Sequence, residues 1–226
     1  QLRRKIRGDY MQYANGILTK ELIYQTARRL MYENGYKKTT YQMIAQKADV
    51  PVGLVNYHFK KQELLNKIYM DYLYQIKDFL AIQAQGLLEN ELQAHMLQSN
   101  IMMTQIFRDS RILSFHLEVN ESNLVPPEFH QVVRKKQVEI LKYFHVDITP
   151  ESYYWCAAAE YGARRELILQ NKDVDINSSD FQRLLDLLPT IAVRIAGLSP
   201  AIILQNQKKA NDVFARLDYT HILMLP

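Results

Sequence analysis

Cysteine is nearly absent: Cys156 is the only one in 226 residues. A single thiol excludes an intrachain disulfide and any metal site built on paired thiolates, and it fits a reducing compartment. Glycine and proline are also scarce, at seven each. With few turn-formers and only short alternating runs, an antiparallel sheet has little to be built from. No apolar run is long enough to span a bilayer, since the richest stretch, Leu184 to Leu198, is cut by Asp186, Pro189 and Arg194. The basic start (Arg3, Arg4, Lys5, Arg7) is not followed by the apolar segment of a secretory signal. Phosphate-binding glycine loops, nucleophile elbows and His-Glu-x-x-His zinc motifs are missing as well. His116 and Glu118, two apart on a helix, point to different faces and make a poor acid–base pair. The expectation is a soluble cytoplasmic protein, without metal or cofactor, that is not an enzyme.

What is present is an uneven distribution of charge. Residues 1–61 carry 12 Lys/Arg against 4 Asp/Glu, whereas residues 62–226 carry 16 against 20. A basic head on a mildly acidic body is the footprint of a module that binds a polyanion. Hydrophobic content of 48% is ample for a globular core.

The periodicity is helical nearly everywhere. From Thr19, apolar residues recur at Leu22, Ile23, Ala27, Leu30 and Met31, and Gly35 terminates the segment. Thr39 and Gln42 fit a capping box for a second helix bearing Ile44, Ala45 and Ala48. Pro51 opens a third of about two turns. A fourth begins near Gln62 and carries a stripe from Leu65 to Leu80. Further helices are expected roughly at 84–108, 110–121, 127–145, 150–171, 179–197 and 200–217. Thr149, Ser178 and Ser199 supply caps, and Pro189 forces a kink or a split. The fold class is therefore all-α, with a three-helix head at 15–61 and a helical body at 62–226.

Two short helices joined by a tight turn and braced by a longer one describe a helix-turn-helix. On its second helix Val55 and Phe59, four apart, can both face inward. Val52, Leu54, Asn56, Tyr57 and His58 are then left for the outside, and Gly53, with no side chain, lets the helix backbone approach a DNA phosphate or base methyl closely. Lys60 and Lys61 follow as point charges for phosphates. Thr39, Thr40 and Tyr41 offer hydroxyls and free N–H groups to an anion at the start of the second helix. Gln42 suits either a cap or a base edge. Together these match the major groove of double-stranded DNA and its two phosphate walls. The plainer alternative is a helical bundle with a solvated charged face.

The run Leu30-Met-Tyr-Glu-Asn-Gly-Tyr-Lys-Lys-Thr-Thr-Tyr-Gln-Met-Ile-Ala-Gln-Lys-Ala-Asp-Val50, with Gly53-Leu-Val-Asn-Tyr-His-Phe-Lys-Lys-Gln-Glu-Leu-Leu65, resembles the N-terminal domain of TetR-family transcriptional regulators. Gly35, Tyr36, Thr39, Thr40, Ile44, Ala45, Gly53, Val55, His58, Phe59, Glu63 and Leu65 carry the likeness, over about a fifth of the chain. The chain departs from the family pattern at Asp49 (usually Gly), Pro51 (often Ser), Asn56 (commonly Tyr) and Gln62 (commonly Lys). The resemblance implies a homodimer that binds a pseudo-palindromic operator through both heads, paired through two late helices. Those would be 150–171, with small residues from Ala157 to Ala163, and 179–197, with Leu184, Leu185, Leu187, Leu188, Ile191 and Ile195. It also implies a repressor released by a small effector through the fourth helix.

In the body, Met96, Met103, Phe107, Phe115, His116, Tyr154, Trp155 and Tyr161 belong to a Met- and aromatic-rich set that can line a pocket for a small apolar or aromatic effector. The same stripes read equally as plain core. Two other functions stay open: a TetR-like regulator without a small-molecule effector, controlled by a protein partner or acting as an activator, and an enzyme or carrier housed in the body.

Overall fold

The computed structural model describes residues 2–226, with side chains from Gly16 onward; the side chains of Arg3, Arg4, Lys5 and Arg7 lie outside the described residues. Every regular element among them is helical. The first four are α1 (Leu2–Asn34), α2 (Tyr41–Ala48), α3 (Val52–His58) and α4 (Lys61–Gln83). The body continues through α5 (Glu91–Arg108), α6 (Ser110–Glu121), α7 (Pro127–Tyr143) and α8 (Pro150–Gln170). It ends with α9 (Ser179–Leu187), a single 3-10 turn (Leu188–Thr190), α10 (Ile191–Ile195) and α11 (Pro200–Phe214). Among the described residues, no helix is long and apolar enough to cross a membrane.

Local chemistry explains most boundaries, including several that differ from the pattern reading. Helix α1 begins far ahead of Thr19, and its buried stripe is Ile23, Tyr24, Ala27, Leu30 and Met31, while Leu22 faces solvent. Gly35, at φ +83°, ends it in the left-handed region. The cap of α2 falls on Thr40 rather than Thr39, because Thr40 is the last extended residue and its hydroxyl accepts from Met43 N–H at 3.2 Å. Thr39 is buried instead, and its hydroxyl donates to the Gly35 carbonyl at 2.7 Å. Asp49 closes α2 at φ 53°, taking the left-handed turn that Asp tolerates better than most residues. Pro51 lies just outside α3 as its N-cap.

Helix α5 starts at Glu91, not near 84, because the Asn90 side chain caps it by accepting from Leu92 and Gln93 N–H. Pro189 splits the penultimate segment as expected: it sits in the 3-10 turn between α9 and α10. Thr149 and Ser178 cap through their hydroxyls, but Ser199 makes no such bond.

The larger of two core clusters runs without a break from head to body. Ile23, Ala27, Val55 and Phe59 of the head join Leu65, Tyr69 and Ile76 of α4, then Ile101, Ile106 and Phe115. A second cluster, with Leu92, Met96, Leu141, Tyr153, Val193 and Ile203, fills the far end. Helix α5 lies in the middle, packed by α11, α6, α4, α7 and α9. After α11 the chain turns back: Ile222, Met224 and Leu225 are buried, and the Gln105 amide donates to the carbonyls of Tyr219 (2.8 Å), Thr220 (3.2 Å) and Ile222 (2.8 Å). Arg28 of α1 donates to the Met224 carbonyl at 3.1 Å, which ties this returning segment to the head.

Candidate functional site

Helix α3 presents a surface that none of the described residues covers. Val55 and Phe59 anchor it in the core, as their four-residue spacing requires. On the outer side Val52, Gly53, Asn56 and Tyr57 are exposed, Tyr57 at 81%. Leu54 and His58 are half-buried, and the His58 ring meets Tyr57 edge-on at 5.1 Å. Asn56 turns its amide back to the Val52 carbonyl at 3.2 Å. Gly53 has a normal helical φ, and a Cβ built on it would meet nothing within 4 Å. Neither strain nor internal crowding calls for glycine there.

Beside this face, Thr40 and Gln42 are exposed at the N-terminus of α2, and Tyr41 is half-buried. The unpaired N–H groups of a helix start attract an anion. Thr39, enclosed and bonded to Gly35, is not on this surface. Lys37, Lys38 and Lys60 are exposed around it. Lys61 points away: its Nζ donates to the Lys37 carbonyl at 3.3 Å and lies 4.5 Å from the centre of the Tyr36 ring. Partial burial there pushes its pKa down. Gln62 is also directed elsewhere, donating to the Leu124 carbonyl at 3.2 Å.

The head is held to the body by polar contacts that no local pattern announces. Glu118 of α6 reaches the turn between α1 and α2, its carboxylate accepting from Tyr36 N–H at 2.7 Å and Lys37 N–H at 3.0 Å. Gly35 suits this position by its backbone, and a side chain there would also push the Glu118 carboxylate aside. Its φ is positive, and any Cβ would sit 2.8 Å from Glu118 Oε2. Tyr32 donates to Asp109 at 3.0 Å, and Tyr24 donates to Asp71 of α4 at 2.7 Å.

Two residues before Glu118, His116 faces the opposite way, into a cavity of about 60 Å³ bounded by α4, α5, α6, α7 and α8. Its walls combine Leu73, Met102, Met103, Phe129 and Ile168 with His95, His116, His130, Glu160 and Arg164. Tyr69 and His116 share a hydrogen bond at 2.9 Å, and Glu160 accepts from Arg164 at 2.7 Å. Among the described residues, the Nε2 atoms of His95, His116 and His130 have no hydrogen-bond partner. Burial holds all three imidazoles neutral, with pKa values lowered to about 3, 4 and 4. Lys136 and Arg164 add to the effect at His95. Two more open clefts of about 330 and 480 Å³ adjoin the cavity, and Val133 of α7 borders all three.

Of the body residues singled out from sequence, Met103, His116 and Tyr161 line this cavity, and Tyr154 borders the 330 Å³ cleft. Met96 lies in the second core cluster, while Phe107 and Phe115 are buried in the main one. Trp155 points to solvent, 66% exposed. Sequence reasoning passed over His95, Gln98, Ser99, Asn120, His130, Glu160 and Arg164. A signal existed for the first group: His95, Gln98, Ser99 and Met102 share one face of α5, which places polar residues on a buried stripe. Among the described residues, no cluster of His, Cys, Asp or Glu is arranged to hold a metal ion.

Residues 23–68 match the family model described as bacterial regulatory proteins, tetR family. No curated protein matches the chain. A solved structure described as a gamma-butyrolactone receptor (ArpA like protein) aligns with 90% of this chain and 100% of its own, at 18% identity and a TM-score of 0.49.

Proposed function

We propose that this chain, a regulator of the tetR family by its N-terminal domain, is a homodimeric repressor that reads a pseudo-palindromic operator and is released by a small molecule bound in the body. The head, 15–61, inserts α3 into the major groove. Tyr57, His58, Val52 and Leu54 meet base edges, Gly53 allows the close fit, and Asn56 stays turned back on Val52. Phosphates are held by the start of α2 (Thr40, Tyr41, Gln42) and by Lys60, with Lys37 and Lys38 as additions. Lys61 and Gln62 are assigned to the head–body junction instead, because both side chains bond within the protein.

The single observation that carries the effector reading is α6 itself. His116 forms part of the cavity wall while Glu118, two residues on, grips the turn ahead of α2. A ligand that displaces α6 moves the head through Glu118, and one that displaces Tyr69 moves α4 and the Gln62–Leu124 contact. Release requires only that the ligand favour the arrangement in which the two heads no longer fit successive half-sites.

The dimer surface is assigned to α8 and the segment 179–197. Leu184, Leu185, Leu188 and Ile191 of that segment are buried within the protomer, so the free face is different. It consists of Trp155 (66% exposed) and the small residues Ala158, Ala159 and Gly162 of α8, and of Leu187 and Ile195 (50% exposed) on the later segment. Small residues flanked by large apolar ones let two helices approach closely.

Selecting binding sites from random duplex DNA, then titrating salt against the selected site, tests the reading. The expected result is a palindromic site whose affinity falls steeply and log-linearly with salt, and a Tyr57→Ala variant that loses at least tenfold of it. A flat salt response, or wild-type affinity in the variant, would overturn the placement of α3.

A further inference from the structure

We infer that the body cavity takes a neutral organic ligand, an apolar frame carrying a hydroxyl or carbonyl oxygen that pairs with the free ring nitrogen of His116; this rests on the effector reading above and narrows it to a chemical class. The frame follows from the walls. Leu73, Met102, Met103, Phe129 and Ile168 offer an apolar lining with flexible methionines on one side.

The oxygen follows from the polarity of the unpaired His116 nitrogen. Tyr69 is fully buried, and burial keeps its phenol protonated well above the usual range. Its hydroxyl has His116 Nδ1 as partner, so the phenol donates and Nδ1 accepts. In the neutral ring the remaining proton then sits on Nε2, a donor without an acceptor. That donor matches the oxygen of a hydroxyl or of a carbonyl, either of which can accept from it.

Neutrality follows from the charges, each of which is already engaged within the protein. Glu160 and Arg164 close on each other at 2.7 Å, and Arg164 also donates to the Leu188 carbonyl at 2.6 Å. Arg165 donates to the carbonyls of Asn120 (2.8 Å) and Glu121 (3.3 Å) at the C-terminal end of α6, where the helix dipole is negative. A charged ligand would lose its hydration and find no free counter-charge.

The test uses the full-length chain at pH 7.5 and four probes on one ring: cyclohexanol, cyclohexanone, cyclohexanecarboxylate and cyclohexylammonium. Binding is read by calorimetry and saturation-transfer NMR, with affinity for the selected DNA measured in the same samples. Cyclohexanol and cyclohexanone should both bind, and the two ions at least tenfold weaker than either. His116→Phe should cost both neutral probes tenfold or more. Ser99→Leu, which fills the cavity from α5, should remove binding while unfolding stays cooperative, so the result does not depend on one variant folding. Equal or tighter binding of either ion, binding of no probe, or wild-type binding by both variants overturns the assignment. Alcohol binding with unchanged DNA affinity upholds the ligand class and removes the effector role. DNA release by an ion alone does the reverse.

Discussion

Gly53 and Tyr57 show how one residue can be placed by what the protein does not do with it. A glycine inside a short helix costs about 0.5–1 kcal/mol relative to alanine, and here no neighbour or strained φ demands it. Gly53→Ala should therefore stabilise the isolated protein by that amount in chemical denaturation and weaken DNA binding tenfold or more. A variant that is more stable and binds DNA normally would remove the close-approach argument. Tyr57 was placed outward from spacing alone, and it is the most exposed aromatic residue of the head. Its neighbour Asn56 shows the limit of such reasoning, because facing outward does not prevent the amide from folding back on Val52.

At the scale of elements, α6 joins two surfaces. His116 and Glu118 were dismissed from sequence as an acid–base pair because they point apart, and the structure gives that divergence a use. Removing the Glu118 carboxylate leaves two backbone N–H groups at the turn without their acceptor, at a cost of about 1–3 kcal/mol. Glu118→Ala should lower stability by that amount and speed amide exchange at Tyr36 and Lys37, with Glu118→Gln intermediate. Unchanged exchange at those two amides would show that the turn holds itself. Helix boundaries were legible wherever a cap or breaker is local, as at Thr149, Ser178 and Pro189. The start of α5 was not, because the positions after Gln83 keep a helical pattern while Asn90 captures two N–H groups downstream.

For the whole molecule, buried histidines link stability to pH. His95 and His116 stay neutral in the folded protein down to about pH 3 and 4, chiefly through desolvation, with Arg164 opposing protonation of both and Lys136 that of His95. In the unfolded chain they titrate near 6.5. As pH falls below 6.5 the unfolded state binds protons that the folded state refuses, so stability drops by about 1.4 kcal/mol per pH unit for each ring until the folded values are reached. Above pH 7 these groups give no slope. Urea unfolding at pH 7.5, 6 and 5 should show a steady loss across the two lower values; equal stability at all three would contradict the burial of these rings. Assembly is a second property at this scale. Trp155→Glu combined with Ile195→Arg should leave thermal unfolding intact, since both side chains are exposed in the protomer, while sedimentation shifts from dimer to monomer. A dimer that persists would move the interface elsewhere.

The amino-acid sequence by itself determined the helical class, the three-helix head and the outward side of α3, because each depends on residues within a turn or two of one another. Spacing of four puts Val55 and Phe59 on one face, and a left-handed turn selects Gly35 and tolerates Asp49. Only the tertiary structure decided which of the aromatic and methionine residues enclose space. Met103 and Tyr161 line the cavity, Phe115 is plain core, and Trp155 looks outward, yet all lie on the same kind of stripe. The physical reason is range. Periodicity assigns a residue to a face of its helix, but what that face meets depends on how distant helices cross, as Glu118 meeting Tyr36 across 82 residues shows.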